Sequence, residues 1–195
     1  MNQLILPEKP VMALVEIAPP AYDVDIFIAY ATEQNFTGAP VYSRPACYLH
    51  PEAAEALARA IHYAGELGFR LKLFDAYRPT EAQWALWNHT PDPEFLANPE
   101  RGSPHSRGVA IDLTLLDANG KELDMGTAFD AFTPLSHHGA SNISTEAKRN
   151  RLILLGIMTS AGFDFYRNEW WHYQLFNSRQ YPLLSNATAG TNMMP

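Results

Sequence analysis

Ser103-Pro104-His105-Ser106-Arg107-Gly108-Val109-Ala110-Ile111-Asp112 reads as a tight turn running into a strand. From Val109 to Leu115 the residues alternate: Val109, Ile111, Leu113 and Leu115 fall on one side, Ala110, Asp112 and Thr114 on the other. His105 precedes the strand and Asp112 sits on its polar side, seven residues away. That spacing alone does not establish a shared ligand set, but a bend at Gly108 brings the two side chains together. A second imidazole stands in Glu169-Trp170-Trp171-His172. Two imidazoles and a carboxylate are the donors a zinc ion takes when its fourth position stays open for water, which marks a catalytic rather than a structural site.

Glu169 is the candidate general base. Residues three apart on a regular strand face opposite ways, so Glu169 and His172 converge only if the chain enters the strand irregularly before Trp170. Each residue also has a plainer reading, since a lone buried histidine is more often a hydrogen-bonded core residue than a ligand. His137-His138 do not easily aim at one ion from a regular element and read as loop residues or as neighbours of the ligands; His50, His62 and His89 read as structural. Cys47 has no visible base beside it that would make its thiol a nucleophile.

Working outward, a helix is predicted from Pro51 to Leu67, with proline at its first position and Ala54, Leu57, Ala58, Ile61 and Ala64 at helical spacing. A strand over Phe69–Phe74 follows Gly68. Thr80-Glu81-Ala82-Gln83 reads as a capping box opening a second helix with Trp84 and Trp87. Asp117-Ala-Asn-Gly120 is a turn signal, with a return strand expected at Lys121–Asp124. A third helix is predicted over Thr145–Ala161, and the aromatic stretch Phe163–Phe176 reads as extended. In the first forty residues, short apolar runs at Val11–Ile17 and Val24–Ile28 are broken by Pro19-Pro20 and end in the turn-like Asn35–Gly38. The expected fold is α+β: one domain over 1–195, an antiparallel sheet with helices packed on it and a zinc site in a cleft on the sheet. Residues 1–29 are expected to lie on the body as an extension, and 182–195 to form an irregular tail.

The totals narrow the function. The 195 residues suffice for one substantial core. A net charge of −7 without a basic run argues against nucleic acid, which requires clustered Lys and Arg. No apolar stretch approaches the roughly 20 residues that span a bilayer. Met1–Pro10 lacks the basic start of a secretory signal, and a single cysteine rules out an intrachain disulfide. A cytoplasmic location is expected.

Several blocks together resemble the zinc-dependent D-alanyl-D-alanine dipeptidases, relatives of D,D-carboxypeptidases and of the zinc-binding fold of Hedgehog signalling domains. They are the two segments above, extended through Leu113-Thr114, with Asp75-Ala-Tyr-Arg-Pro79, Tyr30-Ala-Thr-x-x-Asn-Phe-Thr-Gly38 and Met125-Gly-x-x-Phe-Asp130. Pro104 stands where relatives can carry another small residue. The resemblance implies one zinc per chain on His105, Asp112 and His172, with Glu169 moving the proton and Arg78 steadying the tetrahedral intermediate. It also implies that Tyr30, Ser103 and Asp130 contact a small dipeptide. Asp130 suits the ammonium of that zwitterion and Ser103 its carboxylate. The plainer readings are that Arg78 pairs with Asp75, Tyr30 is core and Asp130 is a turn residue.

The leading expectation is hydrolysis of D-alanyl-D-alanine by metal-activated water, in a protein that binds neither nucleic acid nor membrane and can self-associate as a homo-oligomer. A D,D-carboxypeptidase acting on longer muramyl peptides is the rival within the fold. A non-catalytic zinc-binding interaction module is the rival outside enzymology; it would need neither Glu169 nor Arg78.

Overall fold

The computed structural model describes residues 13–195. The readings placed on Met1–Pro10 and on the start of the Val11–Ile17 run lie outside those residues. The first described strands are β1 (Val15–Glu16) and β2 (Val24–Ile26), the latter following a cis Pro19-Pro20 bond. β3 (Tyr48–Leu49) pairs with β1 in a two-stranded ribbon beside the main sheet.

Helix α1 spans Pro51–Glu66, close to the predicted limits, with the His50 side chain accepting from the Glu52 N–H as its cap. It buries Ala53, Ala54, Ala56, Leu57, Ala60 and Ala64. Gly68, at φ +77°, lets the chain reverse into β4 (Arg70–Asp75), where Leu71 and Leu73 are buried. Helix α2 (Thr80–His89) begins without the predicted capping box. Pro79 occupies the cap position and offers no side-chain acceptor, and Gln83 is turned inward to other partners.

β5 (Ala110–Leu116) is buried along its whole length on both faces. The return strand expected at Lys121–Asp124 shrinks to one bridge between Leu116 and Glu122, with the Leu123 N–H donating to Leu115 O. Helix α3 (Thr145–Ser160) starts on a Ser144 cap, and the aromatic stretch after it becomes a pair of strands, β6 (Phe163–Phe165) and β7 (His172–Leu175). The tail carries one short helix, α4 (Asn186–Ala189), and is otherwise irregular.

The main sheet runs β2-β4-β5-β7-β6. Its pairs are antiparallel as expected, except that β2 lies parallel to β4. With α1 and α3 against it, the architecture is α+β around one core, in which Leu57, Leu71, Leu73, Ile111, Leu113, Leu154, Ile157 and Trp171 take part.

Register is what prepares the site. Asp112 on β5 stands directly opposite His172 on β7, so the two side chains share a face. On the other side, Asp75 stands opposite Asp112, but only because the β4–β5 register shifts between Leu73 and Asp75. Without that bulge Asp75 would point with Leu73 into the aliphatic core. The bulge instead sets three ionisable side chains in a row across the middle of the sheet.

Candidate active site

His105 reaches this row from a single 3-10 turn, His105–Arg107, closed by Gly108 at φ +68°. A Cβ at Gly108 would lie 2.8 Å from Leu14 Cδ2 and 3.2 Å from the His50 backbone nitrogen, so the bend needs glycine for space as well as for conformation. His105 Nε2 then lies 3.0 Å from His172 Nδ1 and 3.3 Å from Asp112 Oδ2, and His172 Nδ1 lies 3.1 Å from Asp112 Oδ1. All three residues are buried.

The remote ring nitrogens decide what these atoms are. His105 Nδ1 sits 2.7 Å from the Ala76 carbonyl and His172 Nε2 3.1 Å from Gln174 Oε1. Both partners accept, so both remote nitrogens carry hydrogen. In the neutral form of both rings, His105 Nε2 and His172 Nδ1 would turn lone pairs toward each other and toward the Asp112 carboxylate. Three such donors gathered out of water form a group that could hold a metal ion. Donors about 2.0–2.2 Å from a tetrahedral ion lie about 3.3–3.6 Å apart, close to the spacings found here. Among the described residues this is the one group of three or more such side chains able to hold a metal.

Glu169 lies outside β7, in the turn that leads to it: its N–H donates to Tyr166 O, and the His172 N–H donates back to Glu169 O. That turn is the irregular entry the sequence required. It leaves Glu169 Oε2 3.9 Å from His172 Nδ1. Burial, then the charges of Asp112 and Asp130, push the Glu169 carboxyl well above its ordinary pKa. Burial works to raise Asp112 too, but His105 and His172 outweigh it and bring its pKa below the usual carboxylate range.

Arg78 is 4% exposed. Its Nε donates to Asp75 Oδ2 at 2.8 Å and its Nη1 to Gln83 Oε1 at 3.0 Å, while Nη2 lies 3.5 Å from Asp112 Oδ2. The guanidinium also stands over the Tyr30 ring, 4.9 Å from its centre. Burial alone would lower the Arg78 pKa, but Asp75 and its neighbours keep the group charged. The plainer readings hold: Arg78 does pair with Asp75, Tyr30 is buried in the core, and Asp130 sits in a turn at φ +58°.

Tyr30, Arg78, Ser103, Asp130 and Glu169 all line one cavity of about 250 Å³ together with the His105–Asp112–His172 group. Its outer wall is Pro93–Ala97, from the segment after α2, and Tyr166, whose hydroxyl donates to Glu94 O. Ser103 Oγ accepts the His105 N–H at 3.2 Å, which leaves its own hydrogen to donate. Asp130 Oδ2 is buried with no hydrogen-bond partner, and burial, reinforced by Asp112, pushes its carboxyl up to about 8. Gln83 was read only as part of a capping box, and Gln174 and Tyr166 carried no signal in the sequence; only contacts bring the three to the site.

The remaining histidines stay apart from the group. His137 Nε2 lies 3.1 Å from Glu94 Oε1, and His138 packs between Phe165 and Tyr173. His50 caps α1, His62 pairs with Glu66, and His89 ends α2 against Phe36. Cys47 is buried, and burial drives its thiol pKa up.

The pattern defining the D-Ala-D-Ala dipeptidases of the peptidase M15 family matches residues 11–185. The chain belongs to that family. It is 44% identical over 173 residues to the D-alanyl-D-alanine dipeptidase of Escherichia coli K12, covering 89% of this chain and 90% of the relative. The Enterococcus faecium protein of the same name is 40% identical, over 75% of this chain and 83% of its own length. A Streptomyces coelicolor namesake is 37% identical with the same coverage. Membership makes this M15 chain a peptidase and sets aside the non-catalytic zinc module. Among the described residues of this family member, no helix is long and apolar enough to cross a membrane.

Proposed function

We propose that the chain hydrolyses free D-alanyl-D-alanine with one zinc ion held by His105 Nε2, His172 Nδ1 and the Asp112 carboxylate. The observation that carries the reading is the meeting of two imidazoles and a carboxylate, with ligand-capable atoms turned toward one another, beside Glu169 and inside a small cavity. Zinc in that seat would supply Lewis acidity, which lowers the pKa of water toward about 7 and polarises a peptide carbonyl. The open side of the ligand set faces the cavity that Glu169 and Arg78 line.

Glu169 takes the proton from the attacking water and returns it to the departing amine. Its carboxylate, 3.9 Å from His172 Nδ1 and lining the cavity, is close enough to serve both steps. Arg78, charged and clamped, directs N–H donors at the oxygen on which negative charge develops; one such donor is worth about 3 kcal/mol in comparable sites. Asp130, buried with an unpartnered oxygen, receives the substrate ammonium, whose charge restores that of the carboxylate. Ser103 donates to the terminal carboxylate, and Tyr30 packs against both Arg78 and the substrate backbone.

A cavity of this size, walled by Pro93–Ala97, suits a free dipeptide better than the end of a longer muramyl peptide. We place the activity in the cytoplasm, consistent with the free Cys47 thiol, with no part for nucleic acid or membrane. Metal analysis and D-alanine release test the proposal together. The purified enzyme should carry about one zinc per chain by the donor count and release D-alanine from the dipeptide. Turnover confined to a pentapeptide would overturn it.

A further inference from the structure

Arg78 has five N–H donors and few ways to be fixed among them. Asp75 holds only its Nε edge, and Asp75 is itself steadied by the Tyr42 hydroxyl, which donates to its other oxygen at 2.9 Å. The guanidinium could still swing about that single bond. The second restraint comes from Gln83, one turn into α2 and 1% exposed, whose Oε1 accepts from Arg78 Nη1. Gln83 Nε2 in turn donates to Ala97 O at 2.8 Å, in the segment that walls the cavity. The amide is therefore spent on both sides and has no freedom of its own.

Two acceptors at different edges, Asp75 on Nε and Gln83 on Nη1, define both the plane of the guanidinium and its rotation within that plane. They leave the Nη2 hydrogens and the second Nη1 hydrogen for the side where Asp112 lies, 3.5 Å from Nη2. A neutral acceptor is also the right choice chemically. It orients the cation without cancelling the charge that must meet a developing oxyanion.

We infer that Gln83 is a positioning residue for the reaction: its amide oxygen fixes the rotation of the Arg78 guanidinium, and its amide nitrogen ties that setting to the cavity wall at Ala97. The inference rests on the proposed role of Arg78 in the hydrolysis.

The test is a double-mutant cycle on the zinc-loaded full-length enzyme, using Gln83→Met, Arg78→Ala and the pair. Methionine keeps the length of glutamine and removes both hydrogen bonds. A misaimed donor costs less than a missing one, so Gln83→Met should lower kcat about tenfold and weaken a phosphinate (tetrahedral) dipeptide analogue to a similar degree. In the Arg78→Ala background, adding Gln83→Met should change kcat less than about twofold, because a residue acting through Arg78 has nothing left to position. A full tenfold loss persisting in that background would overturn the inference, as would an unchanged kcat in Gln83→Met alone. An Arg78→Ala enzyme with unchanged kcat would instead sink the role of Arg78 itself, so the two failures are distinguishable. If Gln83→Met does not fold, ¹⁵N spectra of the native enzyme decide. Arg78, identified by the signal lost in Arg78→Lys, should show separate, slowly exchanging Nη resonances, and averaged ones would overturn the inference.

Discussion

Glu169 and His172 are separated by a turn of chain rather than by three positions of a strand, and that difference divides their roles. His172 belongs to the sheet and points Nδ1 at Asp112 and His105, whereas Glu169, in the turn before β7, lines the same cavity. Replacing one should therefore leave the other's task intact. Glu169→Ala should keep zinc at the native level by metal analysis while D-alanine release falls by about 10²–10⁴-fold, the usual worth of a positioned proton carrier. His172→Ala should lose the metal, and the activity with it. Retained zinc in His172→Ala, or full activity in Glu169→Ala, would contradict this division. That His105, Asp112 and His172 belong together was legible mainly through the family resemblance, because their spacing alone left the grouping open; the fold brings them within reach of one another. Gln174 was not legible, although its Oε1 lies 3.1 Å from His172 Nε2, because a lone glutamine within a strand carries no pattern.

At the scale of elements, two backbone irregularities make the site. The β4 bulge turns Asp75 from the aliphatic face to the face of Asp112, and the Gly108 bend swings His105 over the start of β5. Gly108→Ala tests the second. A side chain in the left-handed region costs about 1–2 kcal/mol before any crowding, and here the new Cβ would press on Leu14 and the His50 backbone. A lowered melting temperature together with weaker zinc binding is expected, and a neutral substitution would mean that the turn yields without moving His105. The strong periods were readable: α1, α3 and β5 lie within a residue or two of their expected limits. The bulge was hidden because Arg70–Asp75 alternates normally up to the shift. The parallel β2 was hidden because three residues, Val24–Ile26, are too few to declare a partner. The capping box failed for a local reason: Pro79 took the cap position, and Gln83 had a better partner in Arg78.

Across the whole molecule, the tail is more than a loose end. Met193 is fully buried, with its carbonyl accepting from the Ser43 N–H at 2.7 Å, and Arg44 donates to Thr191 O. The Leu184 N–H donates to Ser106 O, next to His105, and the Tyr77 hydroxyl donates to the carbonyls of Leu184 and Ser185. The tail thus grips both strongly patterned segments, 75–79 and 103–112, from outside. Removing residues 182–195 should lower the unfolding temperature and raise the zinc dissociation constant, measured by thermal scanning and chelator competition. An unchanged metal affinity would reduce the tail to a passive covering. Sequence reading left this segment irregular because its contacts run through backbone carbonyls, which no residue pattern announces.

The pocket of bare donors has one more consequence. It offers nitrogen and oxygen but no sulfur, and such a set discriminates poorly among first-row dications, whose affinities climb from manganese to copper whatever the protein. Growth in cobalt-supplemented medium should therefore replace the proposed zinc with cobalt. Cobalt, with its visible absorption, then becomes a natural reporter of that chamber.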